Sequence, residues 1–208
     1  MTTGKRLMDL GLALVLSVVL LVPIIVIALL ILVTDGRPVF YRSERMKTPD
    51  RSFDLWKFRT MTGDPNDFGV SSAFKNDRIT PLGQALRRFR LDELPQLYNI
   101  LRGDMSFVGP RPPLRCYVEL RPDLYAAVLR NRPGVTGLAT ILYHQTEERL
   151  LSHCHTAEET HDTYLRRCVP AKARLDLLWA DNRTLCFDIV LIGRTLTGVF
   201  ARRKGKLP

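Results

Sequence analysis

The sequence has no CxxC pair among its four cysteines, Cys116, Cys154, Cys168 and Cys186, and none of the dense spacing that staples small secreted domains. That excludes a disulfide scaffold and a zinc ribbon and suits a reducing compartment. His153, His155 and His161 lie close to Cys154 and Cys168, yet their spacing matches no tetrahedral ligand pattern. Acidic side chains are in deficit, 21 against 31 lysines and arginines, for a formal net charge of +10. A basic excess suits nucleic acid, an anionic bilayer or a phosphorylated substrate. Aromatic residues reach only 8% and form no RNA-reading set, and no zinc finger or helix-turn-helix pattern is present, so nucleic acid is not expected as a partner. With 46% hydrophobic residues the chain is neither collagenous nor disordered.

Charge itself is missing from Leu10 to Thr34, a run of 25 residues. A straight helix of that length reaches across a hydrocarbon core of about 30 Å. No small-x-small cleavage site precedes Asp35, so a retained anchor is expected rather than a signal peptide. Pro23, at the middle of the run, removes a backbone donor and predicts a kink or break there. Lys5 and Arg6 precede the run and Arg37, Arg42, Arg45 and Lys47 follow it, so both flanks have cytoplasmic character. A re-entrant helix over 1–36 satisfies both facts, and a kinked spanning helix is the alternative. The remaining roughly 170 residues suffice for one domain over 37–208.

In that domain Pro38-Val39-Phe40-Tyr41 and Phe53 to Arg59 read as two short strands joined through Thr48-Pro49-Asp50, a hairpin. The period of two puts Lys57 and Arg59 on one face, an arrangement suited to a phosphate or simply to solvent. Gly63 to Asp77 reads as a loop. Thr80-Pro81 opens a helix with Leu82, Ala85, Leu86 and Phe89 as its buried stripe, leaving Arg87, Arg88 and Arg90 off it. A second helix is predicted after Asp92, with Leu94, Leu97, Tyr98 and Leu101 inward and Gly103 as its stop. Asp92-Glu93 thus follows an arginine cluster at a helix start. Asp92 is there either a plain N-cap or an ionised carboxylate available as nucleophile or metal ligand. Pro110-Arg111-Pro112 stiffens the backbone around a guanidinium that can grip an anion bidentately. Arg132-Pro133-Gly134-Val135-Thr136-Gly137 is another stiffened loop. Near the C-terminus Leu185, Ile189, Ile192 and Leu196 form an apolar stripe ending in Arg202-Arg203-Lys204, suited either to an anionic lipid surface or to packing.

Taken together, these motifs resemble the bacterial monotopic phosphoglycosyl transferases. The likeness rests on Lys5-Arg6-Leu7-Met8-Asp9, Lys57-Phe58-Arg59-Thr60-Met61, the stretch from Leu91-Asp92-Glu93-Leu94-Pro95 through Gly109-Pro110-Arg111-Pro112, the Arg132–Gly137 loop and Leu175-Asp176. It implies an α+β, mainly helical fold: a re-entrant membrane helix, then a small cytoplasmic domain with a short hairpin and surface amphipathic helices. It also implies transfer of a sugar 1-phosphate from a UDP-sugar to a polyprenyl (undecaprenyl) phosphate, with Mg²⁺ and release of UMP, at the cytoplasmic face of the inner membrane. By the family pattern Asp92 is the nucleophile and the magnesium ligand, and Glu93 its catalytic partner. Lys57, Arg59, Arg87, Arg111 and Asp176 would line the phosphate or nucleotide site, and a homodimer is compatible with the pattern. Two departures stand out. Val22 replaces the serine often found before the helix proline, and from Leu138 the usual continuation gives way to an extra helical segment over Tyr143 to Val169. The alternative function is a membrane-tethered basic binding or scaffold protein without catalysis, with Asp92 serving only as a cap.

Overall fold

The computed structural model describes residues 2–63 and 78–201. The loop expected between Gly63 and Asp77 therefore falls almost wholly outside the described residues, as does the basic tail Arg202-Arg203-Lys204. The uncharged run forms two helices, α1 (Thr3–Val19) and α2 (Leu21–Thr34), bent by 60°. The break lies at Leu20, three residues before the proline that was expected to mark it. Proline acts backwards: Pro23 has no N–H to give the carbonyl of Val19, and its ring crowds that same turn. The bend forms with Val22, not serine, before the proline. Among the described residues no single helix is long and apolar enough to cross a membrane, and the bent pair meets that test only together.

Both ends of this helix pair are fastened to the same folded unit. At the N-terminal end Lys5 Nζ meets Asp188 Oδ2 at 2.5 Å, both side chains buried, and Trp179 Nε1 donates to the other Asp188 oxygen at 2.9 Å. Arg6 donates to the carbonyls of Ile100 and Leu101 at 2.7 and 2.9 Å, where the last turn of a later helix leaves acceptors unsatisfied. Asp9 accepts from the Phe107 N–H at 3.2 Å. At the other end Thr80 Oγ1 donates to Asp35 at 2.8 Å, and Arg59 donates to the carbonyls of Asp35, Gly36 and Arg37. Lys5 and Arg6, the basic flank that precedes the uncharged run, are tied into the domain. Between these ends Ala13, Ile27 and Ile31 are buried against it, while Leu14, Val18, Val22, Ile25, Leu29 and Val33 stay exposed.

The hairpin is present, with β1 (Phe40–Thr48) antiparallel to β2 (Arg51–Phe58) and Phe40 opposite Phe58. The first strand runs on to Thr48, well beyond the expected Pro38–Tyr41, because Met46 is buried between the hairpin and the helices that follow. Phe53 and Leu55 pack on Leu97, Ile100 and Met105, while Phe58 joins Ile27, Ile31 and Leu86, so both faces of β2 are covered.

Thr80 caps α3 (Pro81–Arg88) as predicted, accepting from Gly83 N at 3.0 Å. The buried stripe is rotated from the expected one: Gly83 and Leu86 face in, whereas Ala85 and Phe89 are exposed. Gly83 sets that rotation, since a Cβ there would lie 2.2 Å from the Thr60 carbonyl oxygen, and only glycine lets α3 lie this close to the end of the hairpin.

A 3₁₀ turn (Leu91–Glu93) leads to α4 (Gln96–Arg102), stopped at Gly103 in the left-handed conformation as anticipated. Tyr98 is exposed, and Ile100 takes the central core place instead. The two stiffened loops contain a parallel pair of three-residue strands, β3 (Ser106–Val108) and β4 (Gly134–Thr136). Here a Cβ on Gly134 would lie 2.2 Å from Gly109 N, so the crossing requires bare backbone. The short helices α5 (Arg115–Leu120) and α6 (Pro122–Val128) come between these strands.

The extra segment is helical as expected: α7 (Leu138–Ser152), α8 (Ala157–Thr163), a π turn (Tyr164–Cys168) and then α9 (Val169–Asn182). Cys154 and Cys168 are buried free thiols, and His161 stacks on Tyr117 at 5.3 Å. In α10 (Leu185–Ala201) the side of Asp188 and Leu191 is buried, leaving Leu185, Ile189 and Leu196 exposed. The chain is thus mainly helical with one small hairpin.

The buried Lys5–Asp188 pair yields a direct stability test. Asp188→Asn keeps an acceptor for Trp179 but strands the Lys5 ammonium, which should cost about 3–5 kcal/mol in thermal or chemical unfolding. Adding Lys5→Met to Asp188→Asn should recover much of that loss, because the uncompensated charge is then gone.

Candidate active site

Asp92 and Glu93 occupy the 3₁₀ turn and not the start of α4, whose cap position is Pro95. The N-cap explanation of Asp92 therefore loses its basis. The preceding residue Arg90 has φ 55°, an uncommon conformation for a side-chain-bearing residue, and reverses the chain between α3 and the turn.

Glu93 is the centre of a cation cluster. Its Oε1 lies 3.3 Å from both Lys57 Nζ and Arg111 Nη2, and its Oε2 lies 3.7 Å from Arg90 Nη1. The three cations come from β2, from the loop after β3 and from the turn itself. Burial would raise the Glu93 pKa, but the charges of Lys57, Arg111 and Arg90 outweigh it and hold the carboxyl at about 2. Lys57 is shifted down by its burial despite the attraction of Glu93, while Glu93 holds Arg111 above its ordinary value.

Asp92 is only 8% exposed. Burial raises its pKa and the neighbouring Glu93 charge adds to that, while Lys57 and Arg87 oppose it. Arg87, expected to lie off the buried stripe, turns inward, and its Nε donates to Thr60 Oγ1 at 2.9 Å. Among the described residues no other side chain forms a hydrogen bond or ion pair with the Asp92 carboxylate, and no group of three or more His, Cys, Asp or Glu side chains makes a ready metal cage. Mg²⁺ requires no such cage, since it is commonly held by one or two carboxylates together with substrate phosphates and water. Asp92 fits that scheme, whereas Glu93 is already neutralised by cations.

The structure thus brings together Asp92, Glu93, Lys57, Arg87 and Arg111. It does not bring Arg59 with them. That guanidinium donates to Asp35 and Gly36 at the C-terminal end of α2, where free carbonyls favour a cation. Alternation along β2 does aim Lys57 and Arg59 alike, but the two are separated along the strand and the nearer acceptors take Arg59. Asp176 has no hydrogen bond or ion pair with the cluster among the described residues. It is buried in α9 against the Gly109–Gly137 crossing, and a Cβ on Gly137 would lie 3.9 Å from its Oδ1. Two further cations lie at the cluster without a sequence signal that marks them. Periodicity leaves Arg90 off the buried stripe of α3, whereas its left-handed backbone turns it to Glu93. Arg45 follows the uncharged run as a flanking charge, whereas its place opposite Phe53 in the hairpin carries it to the core side.

The bacterial sugar transferase family matches residues 1–202. The chain belongs to that family. It is 32% identical over 209 residues to the UDP-N-acetylgalactosamine-undecaprenyl-phosphate N-acetylgalactosaminephosphotransferase of Aeromonas hydrophila, covering 95% of this chain and 45% of that protein. It is 39% identical over 195 residues to the exopolysaccharide production protein ExoY of Rhizobium meliloti, covering 86% and 77%. A UDP-glucose:undecaprenyl-phosphate glucose-1-phosphate transferase of Klebsiella pneumoniae is 40% identical over 141 residues, 66% of this chain and 30% of that one. The chain therefore spans less than half the length of two of these three transferases.

Asp176 gives a pH-dependent test. Burial raises its carboxyl from the ordinary 3.8 to about 7, with Lys172 opposing. A folded-state pKa above the unfolded one means that stability is complete below about pH 4 and is lost as the pH rises through 7. Asp176→Asn should therefore unfold at nearly the wild-type temperature at pH 4 and above it at pH 8, the gap widening to the order of a few kcal/mol. A constant gap across this range would remove Asp176 as the titrating group.

Proposed function

We propose that the chain transfers a sugar 1-phosphate from a UDP-sugar to a polyprenyl phosphate at the cytoplasmic face of the bacterial inner membrane, an initiating step of exopolysaccharide assembly. The observation that carries the reading is the convergence of Lys57, Arg87 and Arg111 on the adjacent carboxylates Asp92 and Glu93. Carboxylate attack on a diphosphate opposes like charges, so the reaction needs concentrated fixed cations where negative charge develops. In the first step an Asp92 oxygen bonds to the sugar-bearing phosphorus and the bond from that phosphorus to the oxygen of UMP breaks. In the second, an oxygen of the polyprenyl phosphate attacks the same phosphorus and releases the Asp92 carboxylate, giving a polyprenyl diphosphate sugar. Glu93 fixes the position of Lys57 and Arg111 and keeps both charged. Mg²⁺, held by Asp92 and substrate phosphate oxygens, would offset charge on the departing UMP.

The helix pair supports a re-entrant placement. Lys5, Arg6 and Asp9 at one end and Asp35 at the other are bonded to one domain, which is difficult to reconcile with ends on opposite sides of a bilayer. The exposed apolar residues of the pair, and Leu185, Ile189 and Leu196 of α10, supply surface for the lipid. A binding or scaffold role without catalysis draws no support from the named relatives.

A covalent intermediate has a kinetic signature. The enzyme should exchange labelled UMP into UDP-sugar without any lipid acceptor, and Asp92→Asn should abolish both exchange and turnover while leaving the unfolding temperature close to wild type. Exchange that persisted in Asp92→Asn would refute the assignment of the nucleophile. Arg111→Lys keeps the charge but loses the planar fork, and should lower kcat/KM by about tenfold or more.

A further inference from the structure

Among the described residues, no carboxylate pairs with Arg45. It stands on β1 opposite Phe53, on the hairpin face that also carries Leu55 and Lys57. Its Nε is buried without a hydrogen-bond partner, and among the described residues its guanidinium forms no ion pair. Together with Leu55, Gln96, Arg111, Pro112 and Gly134 it lines a small cavity beside the cation cluster. Arg111 is common to both places, bonding Glu93 through one nitrogen while its side chain also walls this cavity.

The backbone fixes the two arginines relative to each other. Met46 N, the residue after Arg45, donates to the carbonyl of Pro113 at 3.0 Å, joining β1 directly to the proline-stiffened loop that presents Arg111. Arg45 is therefore held beside a like charge by ladder hydrogen bonds on one side and a rigid loop on the other. Burial, and then the Arg111 charge, depress its pKa to about 10. A half-buried guanidinium whose Nε lacks a hydrogen-bond partner, set beside a second guanidinium, costs the folded chain stability. An arrangement that carries such a cost in the free protein suits a ligand that removes it. The cavity as it stands has room for about one water, so an oxyanion reaches the N–H donors of the two guanidinium groups only as their side chains part.

We propose that Arg45 and Arg111 form a second phosphate subsite, beside the one at Asp92, Lys57 and Arg87, that binds a phosphate group of one of the two substrates. This rests on the transferase reading, which requires two phosphate-bearing partners at one centre. The ligand is a phosphate monoester or the equivalent phosphate of a diphosphate. It comes either from the nucleotide, and so remains with UMP after the first step, or from the polyprenyl acceptor.

The test uses the full chain in lipid nanodiscs, comparing wild type, Arg45→Met and Arg45→Lys. Arg45→Met keeps the length of the side chain and removes the charge, so the ligand-free protein should unfold at the wild-type temperature or above it. Inorganic phosphate should raise the unfolding temperature of wild type and do so much less in Arg45→Met, with Arg45→Lys in between. In turnover, KM for one substrate should rise by about tenfold or more in Arg45→Met with a smaller change in kcat. A rise for UDP-sugar, with UMP inhibition weakened in step, assigns the subsite to the nucleotide; a rise for polyprenyl phosphate alone assigns it to the acceptor. The proposal is overturned if phosphate protects wild type and Arg45→Met equally and both KM values stay within twofold. It is equally overturned if Arg45→Met unfolds several degrees lower without any change in ligand response, which would make Arg45 a packing residue. Absence of turnover and exchange in wild type would defeat the transferase reading instead, and the inorganic phosphate arm would still decide the subsite.

Discussion

The charge balance around Glu93 is the constraint on which the site depends. A carboxylate with 10% of its side chain exposed carries a heavy desolvation penalty and remains ionised only because Lys57, Arg111 and Arg90 surround it. Because they arrive from the hairpin, from the loop after β3 and from the turn after α3, one side chain holds three separate pieces of chain in register. The adjacent Asp92 has a different balance. It shares Lys57, but burial and the charge of Glu93 keep its pKa raised, so two neighbouring carboxylates have opposite shifts. One is ringed by cations and the other is not, a division that follows from environment and not from residue type.

The bent helix pair is held by comparable means at both ends. A buried ion pair to Asp188 and a guanidinium on the last carbonyls of α4 secure the start of α1, and Arg59 on the carbonyls following α2 secures its exit. These polar fastenings leave the apolar middle free to face another solvent. They also connect the helix pair to the site: α4, which Arg6 grips, follows directly on the turn of Asp92 and Glu93, and Arg59 stands two residues after Lys57.

The segment from α7 to α9 is not remote from this cluster. Lys172 joins Glu147 at 2.9 Å and lies 3.3 Å from the Tyr164 hydroxyl, and both Glu147 and Tyr164 act on the charge of Arg111. These helices thus stand near the loop that carries Arg111. The π turn at Tyr164–Cys168 carries that tyrosine beside Arg45 as well.

Local rules in the sequence decided a good deal. The uncharged run, the Pro49-Asp50 turn, the Thr80 cap, the Gly103 stop and the helical extra segment are all set by short-range chemistry: solvent preference, allowed dihedrals and nearby donors or acceptors. So, in part, was the site, because Asp92-Glu93 beside an arginine cluster and Pro-Arg-Pro are contiguous. Only the tertiary structure decided which charges meet. Periodicity aims a side chain but does not say what awaits it, so Arg59, aligned with Lys57, went to helix-end carbonyls, and Arg45, seemingly a flanking charge, entered the core side of the hairpin. Gly83 fixed the rotation of α3 through a backbone more than 20 residues away, and the close crossing of Gly109 and Gly134 turned two loops into a strand pair. Each of these outcomes rests on contacts between segments distant in sequence, where the balance of burial against pairing depends on the partner that arrives.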